Sequence, residues 1–266
     1  MKKALTIAGS DCSGGAGIQA DLKTFSAHGV FGMSVVTSVV AENTVRVISY
    51  QDMTPQIIQE QIDAVFEDIT PDAVKVGMLS TVETMRAVAV SLKKWQPEQV
   101  VLDPVMYAKN GCALMDPSSI DTLIEEVLPL ATLITPNVPE AEKISGLSIH
   151  SLEDMRTAAK KIYNLCGAAT LVKGGHKVGK ATDVLYDGQD FSEYTSERID
   201  TKNTHGTGCT FSSAIASQLA LGKEMDQAVD QAKKYVTTAI RHSLSLGNGH
   251  GPTNHFYDLY QHGLKE

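Results

Sequence analysis

The sequence lacks the marks of several protein classes. No run approaches the ~20 consecutive apolar residues that a membrane-spanning helix requires, so no membrane partner is expected. The four cysteines, Cys12, Cys112, Cys166 and Cys209, stand too far apart for a CxxC redox or zinc element. With no secretory signal, such scattered thiols fit a reducing cytosol, and the expected location is cytoplasmic. The start, Met1-Lys2-Lys3-Ala4-Leu5-Thr6-Ile7-Ala8-Gly9, imitates a signal peptide, but its apolar run is too short and Asp11 follows at once. There is no long basic run, and 23 Lys and Arg against 31 Asp and Glu leave a net charge of −8, which argues against nucleic acid as the main partner. Neither a Walker loop nor a GxGxxG dinucleotide loop is present. No repeat, low-complexity tract or long linker divides the chain, so residues 1–266 read as one domain.

What is present is an alternation. Short β-branched runs at 4–8, 33–41, 73–76, 99–102, 132–135 and 169–173 read as strands, several apolar throughout as in a sheet covered on both faces. Helical patterns occupy 17–28, 55–66, 82–94, 118–127, 140–145 and 153–165. This rhythm predicts βαβ units: an α/β fold with a mostly parallel sheet and helices outside. Two places break it. Residues 45–51 look like an extra strand with no preceding helix, and 183–199 read as a hairpin turning at Tyr186-Asp187-Gly188-Gln189. The end of the chain is helical at 208–221, 226–244 and 255–261.

Open α/β sheets bind ligands at the carboxyl ends of their strands, which directs attention to the loops there. Gly9-Ser10-Asp11-Cys12-Ser13-Gly14-Gly15-Ala16-Gly17 joins a strand to a helix with a backbone bare enough for close approach. Glu42, in Ala41-Glu42-Asn43-Thr44, could orient a ligand or be a solvated loop acid. Asp103 stands where Pro104 must end a strand. Asn137 and Glu140 fit both a hydrated Mg²⁺ site beside a nucleotide and a simple helix cap. Lys173, before Gly174-Gly175-His176, could meet phosphate oxygens or lie on the surface. The segment 108–112 suits a lid over the site or an ordinary polar turn.

The most specific stretch is Asn203-Thr204-His205-Gly206-Thr207-Gly208-Cys209-Thr210-Phe211-Ser212-Ser213-Ala214, glycine-rich and leading into a helix of small residues. Free amides at such a helix start converge on one spot and make an anion site without a basic side chain. Cys209 lies within it, where the helix dipole favours thiolate, although a small inert buried thiol fits equally. Lys234, in the following helix, is a further candidate nucleotide contact.

Together these motifs resemble the ribokinase-like superfamily, and within it the hydroxymethylpyrimidine and phosphomethylpyrimidine kinases of thiamine biosynthesis. The resemblance rests on Ala8-Gly9-Ser10-Asp11, 14–25, Ala41-Glu42-Asn43-Thr44, Gly77-Met78-Leu79, 102–106, 134–137, 172–176 and 203–210. It implies a three-layer α/β/α sandwich and ATP-dependent phosphorylation of 4-amino-5-hydroxymethyl-2-methylpyrimidine, then of its monophosphate. It places pyrimidine contacts at Gly9, Asp21, Glu42 and Met78. Nucleotide contacts fall at Asn137, Lys173, Gly206, Thr207, Gly208 and Lys234, with Mg²⁺ near Asp103 and Glu140. Cys209 stands where sugar kinases of the superfamily usually carry an Asp base, so it is expected to act as base or to orient the hydroxyl. A homodimer is expected. The rival readings are pyridoxal kinase, a nucleotide-cofactor oxidoreductase hinted at by Glu42 after a glycine loop, and a non-catalytic ligand sensor.

Overall fold

The computed structural model describes residues 1–108, 111–174 and 180–263. An eight-stranded sheet runs through it. Six strands are parallel in the spatial order β8 (Ala169–Val172), β7 (Leu133–Ile134), β6 (Val100–Leu102), β5 (Ala73–Val76), β1 (Lys3–Ala8) and β2 (Phe31–Val36). Beyond β8 the hairpin β9 (Ala181–Tyr186) and β10 (Phe191–Ser196) continues the sheet antiparallel, as its turn sequence predicts.

Alternate residues of the parallel strands feed two cores. Leu5, Ile7, Val74, Val76, Leu102 and Ile134 pack towards α2 (Pro55–Asp68), α3 (Val82–Trp95), α5 (Val138–Ser145) and α6 (Leu152–Cys166). Ala4, Ala73, Val101, Leu133 and Leu171 face α1 (Gly17–Ala27), α7 (Thr207–Ala220) and α8 (Met225–Arg241). Helices on both faces make the expected α/β/α layering. α7 is buried from Thr210 to Ala220; small residues such as Ser213, Ala214 and Ser217 let it lie close to the sheet.

Two expectations are corrected. The run 33–41 is not one strand. Thr37 sits between two, donating its amide to Ala8 O at 2.9 Å and its hydroxyl to Met78 O at 3.0 Å. The chain thereby leaves the large sheet, and β3 (Ser38–Glu42) pairs instead with β4 (Val47–Asp52) as a separate two-stranded flap. Residues 118–127 do not form one regular helix either. A 3-10 turn (Pro117–Ser119), a single α turn, α4 (Ile120–Thr122), and a π turn (Leu123–Val127) follow one another before a second 3-10 turn at Leu128–Leu130. Leu128 keeps helical angles, but Pro129 has no amide hydrogen to give the Glu125 carbonyl, which removes a rung of the α ladder where the geometry changes. Within segment 108–112, Lys109 and Asn110 lie outside the described residues, as do Gly175 and His176 after Lys173.

Candidate active site

The carboxyl ends of β1, β5, β6, β7 and β8 open on one cavity of about 800 Å³, a size that holds small ligands. Gly9, Met78, Asp103, Asn137 and Lys173 line it from the strand tips, and Gly206, Thr207, Gly208 and Cys209 line it from the start of α7. Glu42 reaches it from the flap and Glu140 from α5. The sequence candidates are thus brought together, apart from two discussed below.

At one side stands an acid–lysine cluster. Asp103 is buried; its Oδ1 accepts from Lys173 Nζ at 2.6 Å and from the Thr135 hydroxyl at 3.0 Å. Burial alone would push the Lys173 ammonium down, but the Asp103 and Glu140 carboxylates outweigh it and hold the pKa above the usual lysine value. Asn137 and Glu140 form a reciprocal capping box: Asn137 Oδ1 accepts from the Glu140 amide at 2.9 Å, and Glu140 Oε2 from the Asn137 amide at 2.8 Å. Capping and cavity lining therefore coexist. Burial, reinforced by the Asp103 charge and opposed by Lys173, raises the Glu140 pKa from 4.5 to about 7. Two carboxylates facing one ammonium form a hard-oxygen donor set with negative charge in excess, which suits hydrated Mg²⁺.

The α7 side of the cavity is shaped by glycine. Gly206 caps α7 in the left-handed region at φ 75°, and a Cβ there would collide with the Gly15 carbonyl oxygen. At Gly208 a Cβ would stand 3.1 Å from Asp103 Oδ2, so the missing side chain brings the helix start against the acid–lysine cluster. The Thr207 amide turns back to Thr204 O at 3.3 Å, so the first-turn amides that can serve an anion are those of Gly208 and Cys209.

Cys209 departs from the expected lowered pKa. Burial, with Asp21 and Asp103 nearby, raises it from 9.0 to about 11, although Lys75 and the Gly17 amide act the other way. Desolvation outweighs the helix dipole here, so the group is a thiol at neutral pH.

The sequence pattern of the phosphomethylpyrimidine kinase family matches residues 11–254. The chain belongs to that family. The hydroxymethylpyrimidine/phosphomethylpyrimidine kinase of Bacillus subtilis is 47% identical over 256 residues, covering 96% of this chain and 94% of that protein. The thiamine biosynthesis bifunctional protein of Geobacter sulfurreducens is 49% identical over 252 residues, 94% of this chain. This chain spans 51% of that longer protein. Among solved structures, an ADP complex of Bacillus subtilis pyridoxal kinase matches with a TM-score of 0.90 at 44% identity, covering 96% of this chain and 98% of that one. The fold is the ribokinase-like sandwich.

In this phosphomethylpyrimidine kinase family member, two candidates lie off the cavity wall. Asp21 is wholly buried beneath it, accepting from Lys75 Nζ at 2.9 Å, Thr6 Oγ1 at 2.6 Å and Ser213 Oγ at 2.7 Å. It holds Lys75, which does line the cavity. Lys234 points to solvent and pairs with Asp230. Its neighbour Lys233 lines the cavity instead, bound to Asp183 Oδ2 at 2.6 Å. The α8 register carries the signal: Val229, Lys233 and Val236 share the buried stripe, which Lys234 leaves.

Sequence reasoning also missed Asp11 and His205. Asp11 accepts from the amides of Ser13, Gly15 and Ala16 and from His205 Nε2 at 2.8 Å. Burial opposes its ionisation, but these partners hold its pKa well below the usual carboxylate range. An Asp opening a glycine loop is the local signal for such an amide-binding turn. Beside it, burial and the Asp11 charge raise Glu42 from 4.5 to about 7, with His205 opposing.

Proposed function

We propose that the protein transfers the γ-phosphoryl group of ATP to the hydroxymethyl oxygen of 4-amino-5-hydroxymethyl-2-methylpyrimidine, and then to the phosphate of the resulting monophosphate. The observation that carries this reading is one cavity lined both by Gly9, Glu42 and Met78 and by Gly208, Cys209 and Lys173; in this reading the acceptor lies at the first group and the phosphates at the second. The similarity to named kinases of this substrate pair supports it.

In the first transfer the alcohol oxygen forms a bond to the γ-phosphorus, the bond to the β,γ-bridging oxygen breaks, and ADP departs. The transition state is loose, so positioning and charge matter more than a strong base. The amides of Gly208 and Cys209 cradle the transferring oxygens, and Lys173 offsets their charge. The Cys209 thiol orients the hydroxyl, whose proton leaves late for the phosphoryl oxygens. Asp103 and Glu140 would hold Mg²⁺, which when bound neutralises charge on the triphosphate. The Glu42 carboxyl accepts a hydrogen bond from the exocyclic amine of the ring. Lys233 serves the nucleotide end. The reading keeps a homodimer, to be measured by light scattering.

A coupled ADP-release assay with the alcohol and its monophosphate tests the reading; no release with either overturns it. A second reading, pyridoxal phosphorylation, is favoured by the match to the pyridoxal kinase structure. Comparing kcat/KM for the two alcohols decides between them.

A further inference from the structure

The first glycine loop and the turn that opens α7 are far apart in sequence, yet they touch backbone to backbone where Gly206 meets the Gly15 carbonyl. A side-chain bond crosses the same junction: His205 Nε2 and Asp11 Oδ2 are 2.8 Å apart, joining residues 194 positions distant in the chain. Asp11 is held ionised and can only accept, so Nε2 carries the hydrogen. On the Asp11 side that one carboxylate also gathers the amides of Ser13, Gly15 and Ala16, fixing the loop ahead of α1. On the other side His205 immediately precedes Gly206, the cap of α7.

The His205 backbone is itself clasped. Its amide donates to Gly251 O at 3.1 Å, and its carbonyl accepts from the Thr253 amide at 3.4 Å. The adjoining segment also holds the flap tip: the His250 amide donates to Thr44 O at 2.9 Å and the Gly249 amide to Thr44 Oγ1 at 3.2 Å. Acidic Glu42 stands next to the pair, with ligand atoms of Asp11, Glu42 and His205 all within 4.8 Å of one another.

We propose that His205 is a positioning residue which, through its ring bond to Asp11, keeps the acceptor loop in register with the phosphate-binding turn. The role rests on the kinase reading above, because it concerns the distance between an alcohol and a phosphoryl group. In-line transfer needs the reacting atoms ~3–3.5 Å apart, and a misplacement of ~1 Å can cost ~10²-fold in rate. His205 reaches the cavity wall, and its role there is to set where the two loops hold the reactants.

The test compares His205→Leu, which keeps bulk and loses the bond, with His205→Gln, which restores an N–H donor. The readouts are kcat, the acceptor KM and the Kd of a non-hydrolysable ATP analogue. His205→Leu should lose ~10-fold or more in kcat with the analogue Kd unchanged, and His205→Gln should recover most of that loss. Wild-type kcat in His205→Leu overturns the proposal, as does His205→Gln being equally impaired or nucleotide affinity falling in step with kcat. If His205→Leu does not fold, Gly15→Ala replaces it, since the added methyl would run into the His205 ring. An unchanged kcat in Gly15→Ala then overturns the proposal. Wild-type turnover in the same assay separates the claims: no ADP release with any alcohol removes both, whereas normal turnover beside an indifferent His205→Leu removes the clamp alone.

Discussion

Lys173 Nζ lies 2.6 Å from Asp103 Oδ1, across the two-residue strand β7 that separates their own strands. The lysine is therefore held at the cavity wall before any phosphate arrives. Removing it leaves Asp103 and Glu140 facing the triphosphate without an opposing cation. Lys173→Ala should lower kcat by ~10²–10³-fold, the usual cost of one preorganised donor. Far-ultraviolet circular dichroism should stay native. An unchanged kcat in the ADP-release assay removes Lys173 from the transfer.

The buried thiol makes the next expectation. With its pKa raised to about 11, Cys209 should resist iodoacetamide at neutral pH and react faster only as the pH climbs towards that value. The exposed Cys12 should be labelled first, which peptide mapping by mass spectrometry reads directly. In Cys209→Ala the acidic limb of the pH–rate profile should persist, because a group titrating so high cannot produce it. Loss of that limb would restore the thiolate-base role.

These contrasts show what was legible in the chain. Strand and helix alternation exposed the layers because apolar side chains at each period have nowhere else to go. The strand-tip acids, Lys173 and the glycines of the α7 turn were readable because each sits where a regular element must stop. Thr37 was hidden: it looks like any β-branched strand residue, and only its bonds to Ala8 and Met78 make it the break. Lys75 was hidden for the opposite reason, being one charge inside an apolar strand whose partner Asp21 lies 54 positions away. The sequence candidate Lys234 faces out and Lys233 faces in because helix register, not residue type, decides which of two adjacent lysines is buried. The Cys209 pKa could not be read because the dipole is a local property and desolvation is not.

The two raised carboxyls predict how stability depends on pH. Glu42 and Glu140 each titrate at about 7 in the folded protein against 4.5 ordinarily, so the fold binds their protons more tightly than the unfolded chain does. Their contribution is fully present below pH 4.5 and is lost as the pH rises through about 7. Asp11 works in reverse: its stabilisation is present above its ordinary 3.8 and is lost on acidification. The two glutamates therefore give the ligand-free urea midpoint a downward slope between pH 5 and 7, opposed by His255, which burial pushes from 6.5 to about 4 and whose stabilisation grows as the pH rises between those values. Glu140→Gln, neutral throughout, should flatten that slope, and added Mg²⁺ should raise the midpoint most at the alkaline end. A Glu140→Gln midpoint that runs parallel to the wild type across the window counts against the Glu140 assignment.

Lys75 and Asp21 form an ion pair at 2.9 Å with both side chains wholly shielded from solvent. Burial would push the Lys75 ammonium down, but Asp21 and the nearby Cys209 and Asp103 hold it above the usual range. Asp21 receives hydrogen bonds from Thr6 and Ser213 as well, so the pair ties β5 to β1, α1 and α7 under the floor of the cavity. Breaking it from one side leaves a buried charge with no opposite, and Lys75→Met should cost ~3–5 kcal/mol of unfolding free energy. Replacing both partners removes the charge problem while keeping volume. Lys75→Met with Asp21→Leu should thus be more stable than Lys75→Met alone, although Thr6 and Ser213 then lose their acceptor. Urea unfolding of the two single variants and the double variant closes the cycle. If the double variant is the least stable of the three, the loss comes from the packing of the side chains and not from the uncompensated carboxylate.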